Sequence, residues 1–197
     1  MKEKKKNKNK CKWSKIFGDA RLGFWNPWSY CNKRHEYAKS LNYDILGLGE
    51  LHNKQLEDIY KCKRWICSEQ GEVDEQGYDP DPAAGVAILL SPRMADRILD
   101  SGCVGSRIVW VRLAGPVCNI FVIVPYVPHR GRTKTPYVKD TIKQLHDLLA
   151  TVNKMDCVIM MGDLNCELQR NVKGCTGQWC MTTRKDNEHG EDILNLM

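Results

Sequence analysis

Apolar residues recur along this chain in short runs separated by polar and Gly/Pro-rich stretches, a rhythm of strands with a few helices between them. Leu22 to Asn26 predicts a first strand, stopped by Pro27. Ser29 to Asn42 is predicted helical, with Ser29 as N-cap and Tyr37, Ala38 and Leu41 as a weak apolar face. Tyr43 to Glu50 reads as a second strand, Lys54 to Trp65 as a surface helix, and the acidic, Gly- and Pro-bearing stretch Ser68 to Ala84 as a loop. Three β-rich runs follow, Gly85–Ser91, Ser106–Leu113 and Val117–Val127. A charged segment around Arg93–Asp100 separates the first two, and Pro128 halts the third.

The clearest helix is Pro136 to Asn153, with Thr135 as N-cap and Pro136 at the first helical position. Val138, Ile142, Leu145, Leu149 and Val152 repeat at four, three, four and three, which makes one apolar face. His146 falls beside that stripe, a packed or exposed position rather than a catalytic one. Cys157 to Met161 predicts a buried strand, and Glu191 to Leu196 a short closing helix.

At 197 residues the chain is long enough for one well-packed α/β domain. Its 42% hydrophobic and 27% charged content are ordinary for a globular protein. The net charge of +6 changes the picture because of where it sits. Residues 1–15 hold 8 Lys and 1 Glu, so they carry +7 and the rest of the chain a net −1. Residues 1–15 thus read as a disordered basic tail ahead of a domain spanning 16–197. The tail reads equally as a nuclear-import signal, a phosphate-binding arm, or an inert solvated end. No apolar segment suits a secretory signal or a membrane span, which points to an intracellular, nuclear protein. The ten cysteines are dispersed and form no Cys-x-x-Cys pair, as expected of reduced thiols. Cys166, Cys175, Cys180 and His189 could be drawn as a zinc site, but their spacing matches no familiar pattern.

The candidate chemistry sits where strands end. Gly162-Asp163-Leu164-Asn165 follows an apolar strand, and strand alternation sends Asp163 and Asn165 one way and Leu164 back toward the core. Gly162 leaves room for a ligand to approach the backbone. The carboxylate and carboxamide suit a metal, a water or a phosphate oxygen, yet Asp and Asn are also ordinary turn formers. Glu50 ends the second strand and Asn26 the first. A charge at the end of a buried strand is solvated, paired or metal-bound.

Taken in order, these landmarks resemble the endonuclease/exonuclease/phosphatase (DNase I-like) superfamily. Ile45-Leu46-Gly47-Leu48-Gly49-Glu50-Leu51-His52 resembles the motif around its metal-binding glutamate. Gly85–Ser91, Arg107–Val111 and Tyr126-Val127-Pro128 resemble its next landmarks, and Met161–Asn165 its Gly-Asp-Phe-Asn signature. Within the superfamily the chain is most similar to the apurinic-endonuclease-like domain of non-LTR retrotransposons.

The resemblance implies a four-layer α/β sandwich of two packed, mainly antiparallel sheets flanked by helices. It implies Mg²⁺-dependent phosphodiester hydrolysis, with Mn²⁺ as a substitute, most simply DNA nicking. Glu50 would bind the metal, with Asn26 nearby. Asp163 would orient or deprotonate the attacking water. Asn165 would hold the phosphate or that water, and Tyr126 would contact a non-bridging oxygen. Arg107 would support the carboxylates, and Arg130, Arg132 and Lys134 form a basic loop suited to DNA. Gly49 and Leu51 flank the glutamate where the family usually has Gln and Thr. None of the five histidines follows an aspartate, so the family's final Ser-Asp-His motif is missing. The resemblance therefore implies a partial domain, incomplete at its C-terminus, of weak or no activity, whose full-length parent would carry a reverse transcriptase. A phosphatase or phosphodiesterase of the same superfamily, or a non-catalytic nucleic-acid-binding remnant, are the alternatives.

Overall fold

A strand that is apolar at every position needs cover on both faces, and the structure shows what provides it. The computed structural model describes residues 18–28, 37, 38, 40–52, 65–69, 71, 83–128, 135–166 and 188–195. Within them the chain forms β1 (Leu22–Trp25), β2 (Ile45–Leu48), β3 (Trp65–Cys67), β4 (Ala87–Leu90), α1 (Pro92–Ala95) and β5 (Ile98–Val104). Then follow β6 (Ile108–Leu113), β7 (Ile120–Pro125), α2 (Thr135–Thr151), β8 (Cys157–Met160) and α3 (Glu188–Leu194). One sheet has the order β1-β2-β4-β3 and the other β5-β6-β7-β8. Each contains one parallel pair, β1–β2 and β7–β8, and its other pairs are antiparallel.

Side chains that alternate along each strand fill two different layers. Ile45 of β2 packs with Val122 and Val124 of β7 and Val109 and Val111 of β6 in the core between the sheets. Leu46 and Leu48 turn outward onto Ala38, in the helical residues Tyr37, Ala38 and Ser40. Phe121 and Ile123 of β7 turn outward onto Leu145 and Leu148 of α2. The layers run helix, sheet, sheet, helix, which is the four-layer α/β sandwich expected. Each fully buried aliphatic side chain in these layers contributes about 1.5–3 kcal/mol.

Several boundaries differ from the sequence expectation. The segment around Arg93–Asp100 is not a connection: it forms α1 and opens β5. β5 is an edge strand with Leu99, Asp100 and Ser101 exposed, so its polar positions masked it. Trp65 begins the short edge strand β3 rather than ending a helix. β8, expected to be buried, lies at the sheet edge with Val158 42% exposed. α3 starts three residues before Glu191. On α2, Val138, Ile142, Leu145 and also Leu148 are buried, while His146 is exposed. The tail 1–15, residues 54–64, Cys175, Cys180 and the basic loop of Arg130, Arg132 and Lys134 lie outside the described residues.

Two aspartates start strands and are clamped by arginines. Asp44, just before β2, accepts from Arg93 Nε (2.7 Å) and Nη2 (2.6 Å), from the Ser91 hydroxyl (3.0 Å) and from the Arg21 N–H (2.9 Å). Asp156, just before β8, accepts from Arg112 Nε (2.6 Å) and Nη2 (3.0 Å). The Arg93 guanidinium holds the Asp44 carboxyl well below the usual carboxylate range, and the Arg21 N–H and Ser91 hydroxyl add to it against the opposing effect of burial.

A depressed folded-state pKa gives stability that is present in full above the ordinary aspartate value of about 3.9 and is lost as pH falls below it. Asp44→Asn should therefore lower the melting temperature at pH 7, with the gap to wild type narrowing progressively as pH falls below about 4. Thermal melts followed by circular dichroism across that range check this. A gap that stays constant would show that the Arg93 pair does not contribute through charge.

Candidate active site

The two parallel strand pairs bring four strand ends to one edge. Trp25 of β1 aligns with Leu48 of β2, and the Gly49 N–H donates to the Trp25 carbonyl at 3.2 Å. Asn26, one residue past Trp25, and Glu50, two past Leu48, therefore leave the same end of that sheet. In the other sheet Ile123 of β7 aligns with Met160 of β8, and Tyr126 forms an isolated parallel bridge with Asp163. The Val127 N–H donates to the Asp163 carbonyl at 2.9 Å. A side-chain bond spans the sheets: Asn26 Nδ2 donates to Asp163 Oδ2 at 3.3 Å, across 137 residues of sequence.

The Asn26 carboxamide is oriented at both ends, because its Oδ1 accepts from the Trp28 N–H at 2.9 Å. The reverse orientation would oppose two donors. Asp163 Oδ1 accepts from the Asn165 N–H at 3.1 Å, a turn closed by the aspartate itself. Asn165 Nδ2 donates to the Val127 carbonyl at 2.8 Å. The turn-forming reading of Asp163 and Asn165 is thus visible in the structure. A carboxylate has about four lone-pair sites, so Asp163 keeps acceptor capacity beyond its two bonds.

Gly162 proves to be a packing requirement rather than room for a ligand. A Cβ there would run into the Pro125 carbonyl oxygen and its ring. Only glycine lets the chain leave β8 close enough to β7 for Asp163 to bridge Tyr126. Leu164 turns toward Val127, Val138, Ile142 and Ile193, a cluster under α2 and α3, and not toward the core between the sheets.

Tyr126 is 3% exposed and its ring fills the inter-sheet core behind Asp163. The Arg107 guanidinium lies 5.3 Å over the Tyr137 ring on α2, while its carbonyl accepts from the Tyr126 N–H at 2.8 Å. Sequence reasoning passed over a backbone signature. Among the described residues, the non-glycines with positive φ are Trp28 (47°), Glu50 (48°), His52 (60°) and Asn165 (43°). All four adjoin these strand ends, and such strain persists only where the surroundings enforce it. His52 Nε2 is buried with no hydrogen-bond partner among the described residues. No local sequence pattern marks either feature.

The donor set fits a hard divalent cation. Glu50 and Asp163 are half-buried, and neither forms an ion pair among the described residues. No three His, Cys, Asp or Glu among the described residues cluster as a metal cage. Mg²⁺ does not need one, because it keeps several waters and binds through one or two carboxylates. The drawn zinc set of Cys166, Cys175, Cys180 and His189 gains no support from Cys166, its one member whose side chain is described.

Comparison with solved structures decides the fold. The endonuclease domain of TRAS1, a telomere-specific non-LTR retrotransposon, superposes with a TM-score of 0.52 over 90% of this chain and 70% of that one, at 14% identity. The chain has the endonuclease/exonuclease/phosphatase fold. A 3′ phosphatase, NExo from Neisseria bound to product DNA hairpin, gives a TM-score of 0.47 at 21% identity over 73% of this chain and 57% of that one. In sequence, the chain is 25% identical to craniofacial development protein 2 of Bos taurus and 24% identical to that of Tragulus javanicus, over 89% of its own length. It spans 29% and 30% of those proteins. No family model matches.

Gly162→Ala should destabilise the protein by about 1–3 kcal/mol, the cost of overpacking against backbone that cannot yield. Chemical denaturation measures it, and an unchanged midpoint would show that the β8 exit tolerates a side chain.

Proposed function

We propose that the chain hydrolyses phosphodiester bonds with a divalent metal and nicks DNA as a retrotransposon-type endonuclease domain does. The observation that carries this reading is the Asn26–Asp163 bond between the two sheets, with Glu50 following β2 at the same edge. It draws a carboxylate from each sheet to one edge. Glu50 would hold the cation, with Asp163 and the Asn26 carboxamide at the same edge of the sandwich. When bound, Mg²⁺ supplies Lewis acidity toward the phosphate oxygens and offsets charge on the leaving oxygen.

The remaining work belongs to the chain's own groups. Asp163 accepts a proton from water as the water oxygen bonds to phosphorus and the opposite P–O bond breaks. Asn26 fixes the Asp163 carboxylate through Nδ2, which makes it a positioning residue. Asn165 has a second amide hydrogen for a phosphate oxygen, while Tyr126, whose ring is buried in the inter-sheet core, supports the strand end that carries Asp163 rather than reaching the phosphate. Arg107 supports that strand end through its carbonyl. Arg130, Arg132, Lys134 and the basic residues of 1–15 draw the DNA backbone in by phosphate attraction. No helix among the described residues is long and apolar enough to cross a membrane. The partners on this reading are DNA and, in a longer parent, a linked reverse transcriptase, and the nucleus is where it acts.

Supercoiled plasmid incubated with the protein and Mg²⁺ should convert only slowly to open circles, in keeping with the weak activity expected from the sequence, and EDTA should stop it. Asp163→Ala should slow nicking by about 10²–10⁴-fold, the usual effect of losing an acid–base group. Hydrolysis of a small phosphodiester without plasmid nicking would favour the phosphodiesterase alternative. Plasmid binding without any hydrolysis would favour the non-catalytic one. Nicking by Asp163→Ala at the wild-type rate would overturn the assignment.

A further inference from the structure

Among the described tryptophans, Trp25, Trp65 and Trp110 are half-buried, whereas Trp28 is 65% exposed. An exposed indole is a flat apolar surface that an aromatic ligand can stack on. Its position is held rather than loose. Pro27 before it is buried and has a fixed φ. Trp28 itself sits in the left-handed region at φ 47°, and its N–H donates to Asn26 Oδ1 at 2.9 Å. The same carboxamide donates to Asp163 at 3.3 Å, so the backbone carrying the indole stands two hydrogen bonds from the proposed base.

We propose that Trp28 is a stacking platform for a nucleobase next to the scissile phosphate. The inference rests on the phosphodiesterase reading above and narrows its substrate to nucleic acid with an accessible base: single-stranded, frayed or flipped. The chemistry follows from geometry. Asn165, together with a cation held by Glu50 and Asp163, would engage a phosphate, which every phosphodiester has. An exposed indole face adds recognition of a flat aromatic ring, which only some phosphodiesters carry. Stacking tolerates every base, because each has a π-face, so Trp28 favours unpaired over paired nucleotides without reading sequence. The Asn26 carboxamide joins the Trp28 backbone to the Asp163 carboxylate, so the residue that carries the indole and the proposed base are fixed to one another.

The test uses the full 197-residue chain in EDTA, where no metal-dependent cleavage takes place. Fluorescence anisotropy compares a labelled single-stranded oligodeoxynucleotide with an abasic tetrahydrofuran-phosphate oligomer of equal length. Trp28→Ala should bind the base-containing strand about tenfold more weakly than wild type. Trp28→Phe should stay within about threefold, and the abasic oligomer should bind all three forms alike. Circular dichroism verifies folding, and Trp28→Leu, apolar without an aromatic face, replaces the alanine variant should that one not fold. Equal binding of the base-containing strand by wild type and by the alanine or leucine variant overturns the platform while leaving plasmid nicking and the parent reading intact. Failure of wild type to bind the base-containing strand in EDTA also overturns the platform, whereas the parent reading falls when plasmid nicking with Mg²⁺ is absent.

Discussion

The arrangement of this protein depends on how closely β2 lies against β7. Position 47 has no side chain, and a methyl group there would stand 2.9 Å from Val124 Cγ2 and 3.2 Å from the Phe24 ring. β2 and β7 are interior strands of their sheets, and each has its one parallel neighbour beside it, β1 and β8. Close approach at this point therefore gathers four carboxyl ends at a shared edge. Asn26, Glu50, Tyr126 and Asp163 all lie within three residues of those ends. Bulk at the centre would spread the sheets and lengthen the Asn26–Asp163 contact, which at 3.3 Å is already at the long end for a hydrogen bond.

The two edges of the sandwich differ electrostatically. At the amino ends, Asp44 and Asp156 are held by two-point arginine contacts, and each aspartate raises the pKa of its partner, Arg93 or Arg112. These clamps neutralise charge and fix where β2 and β8 begin. At the carboxyl ends, Glu50 and Asp163 have no such partner among the described residues. The same two strands thus run from a neutralised aspartate to an uncompensated carboxylate. That asymmetry favours a cation at one edge and stability at the other.

Strain follows the same division. The left-handed non-glycine residues sit at the carboxyl-end edge, where hydrogen bonds hold them: the Trp28 N–H on Asn26, the Asn165 N–H on Asp163, and the Leu51 N–H on Gly85 between Glu50 and His52. Rigid turns of this kind place side chains more exactly than mobile loops do, which suits the function proposed for this edge.

Much of this was legible in the chain itself. Strands apolar at every position, such as Ile45–Leu48 and Ile120–Pro125, declare burial on both faces, and the α2 stripe declares a covering helix. The order of Asn26, Glu50, Tyr126 and Asp163 along those strands declares a fold. The edge strands were not legible, because a strand with one exposed side need not be apolar, as the Asp100 and Ser101 of β5 show. Nor could sequence tell that Gly162 makes way for Pro125, that Arg107 turns to Tyr137, or that Asn26 bonds to Asp163. Those contacts join residues far apart along the chain. Local periodicity reports which face a residue occupies, but only packing of the two sheets decides which residues meet there.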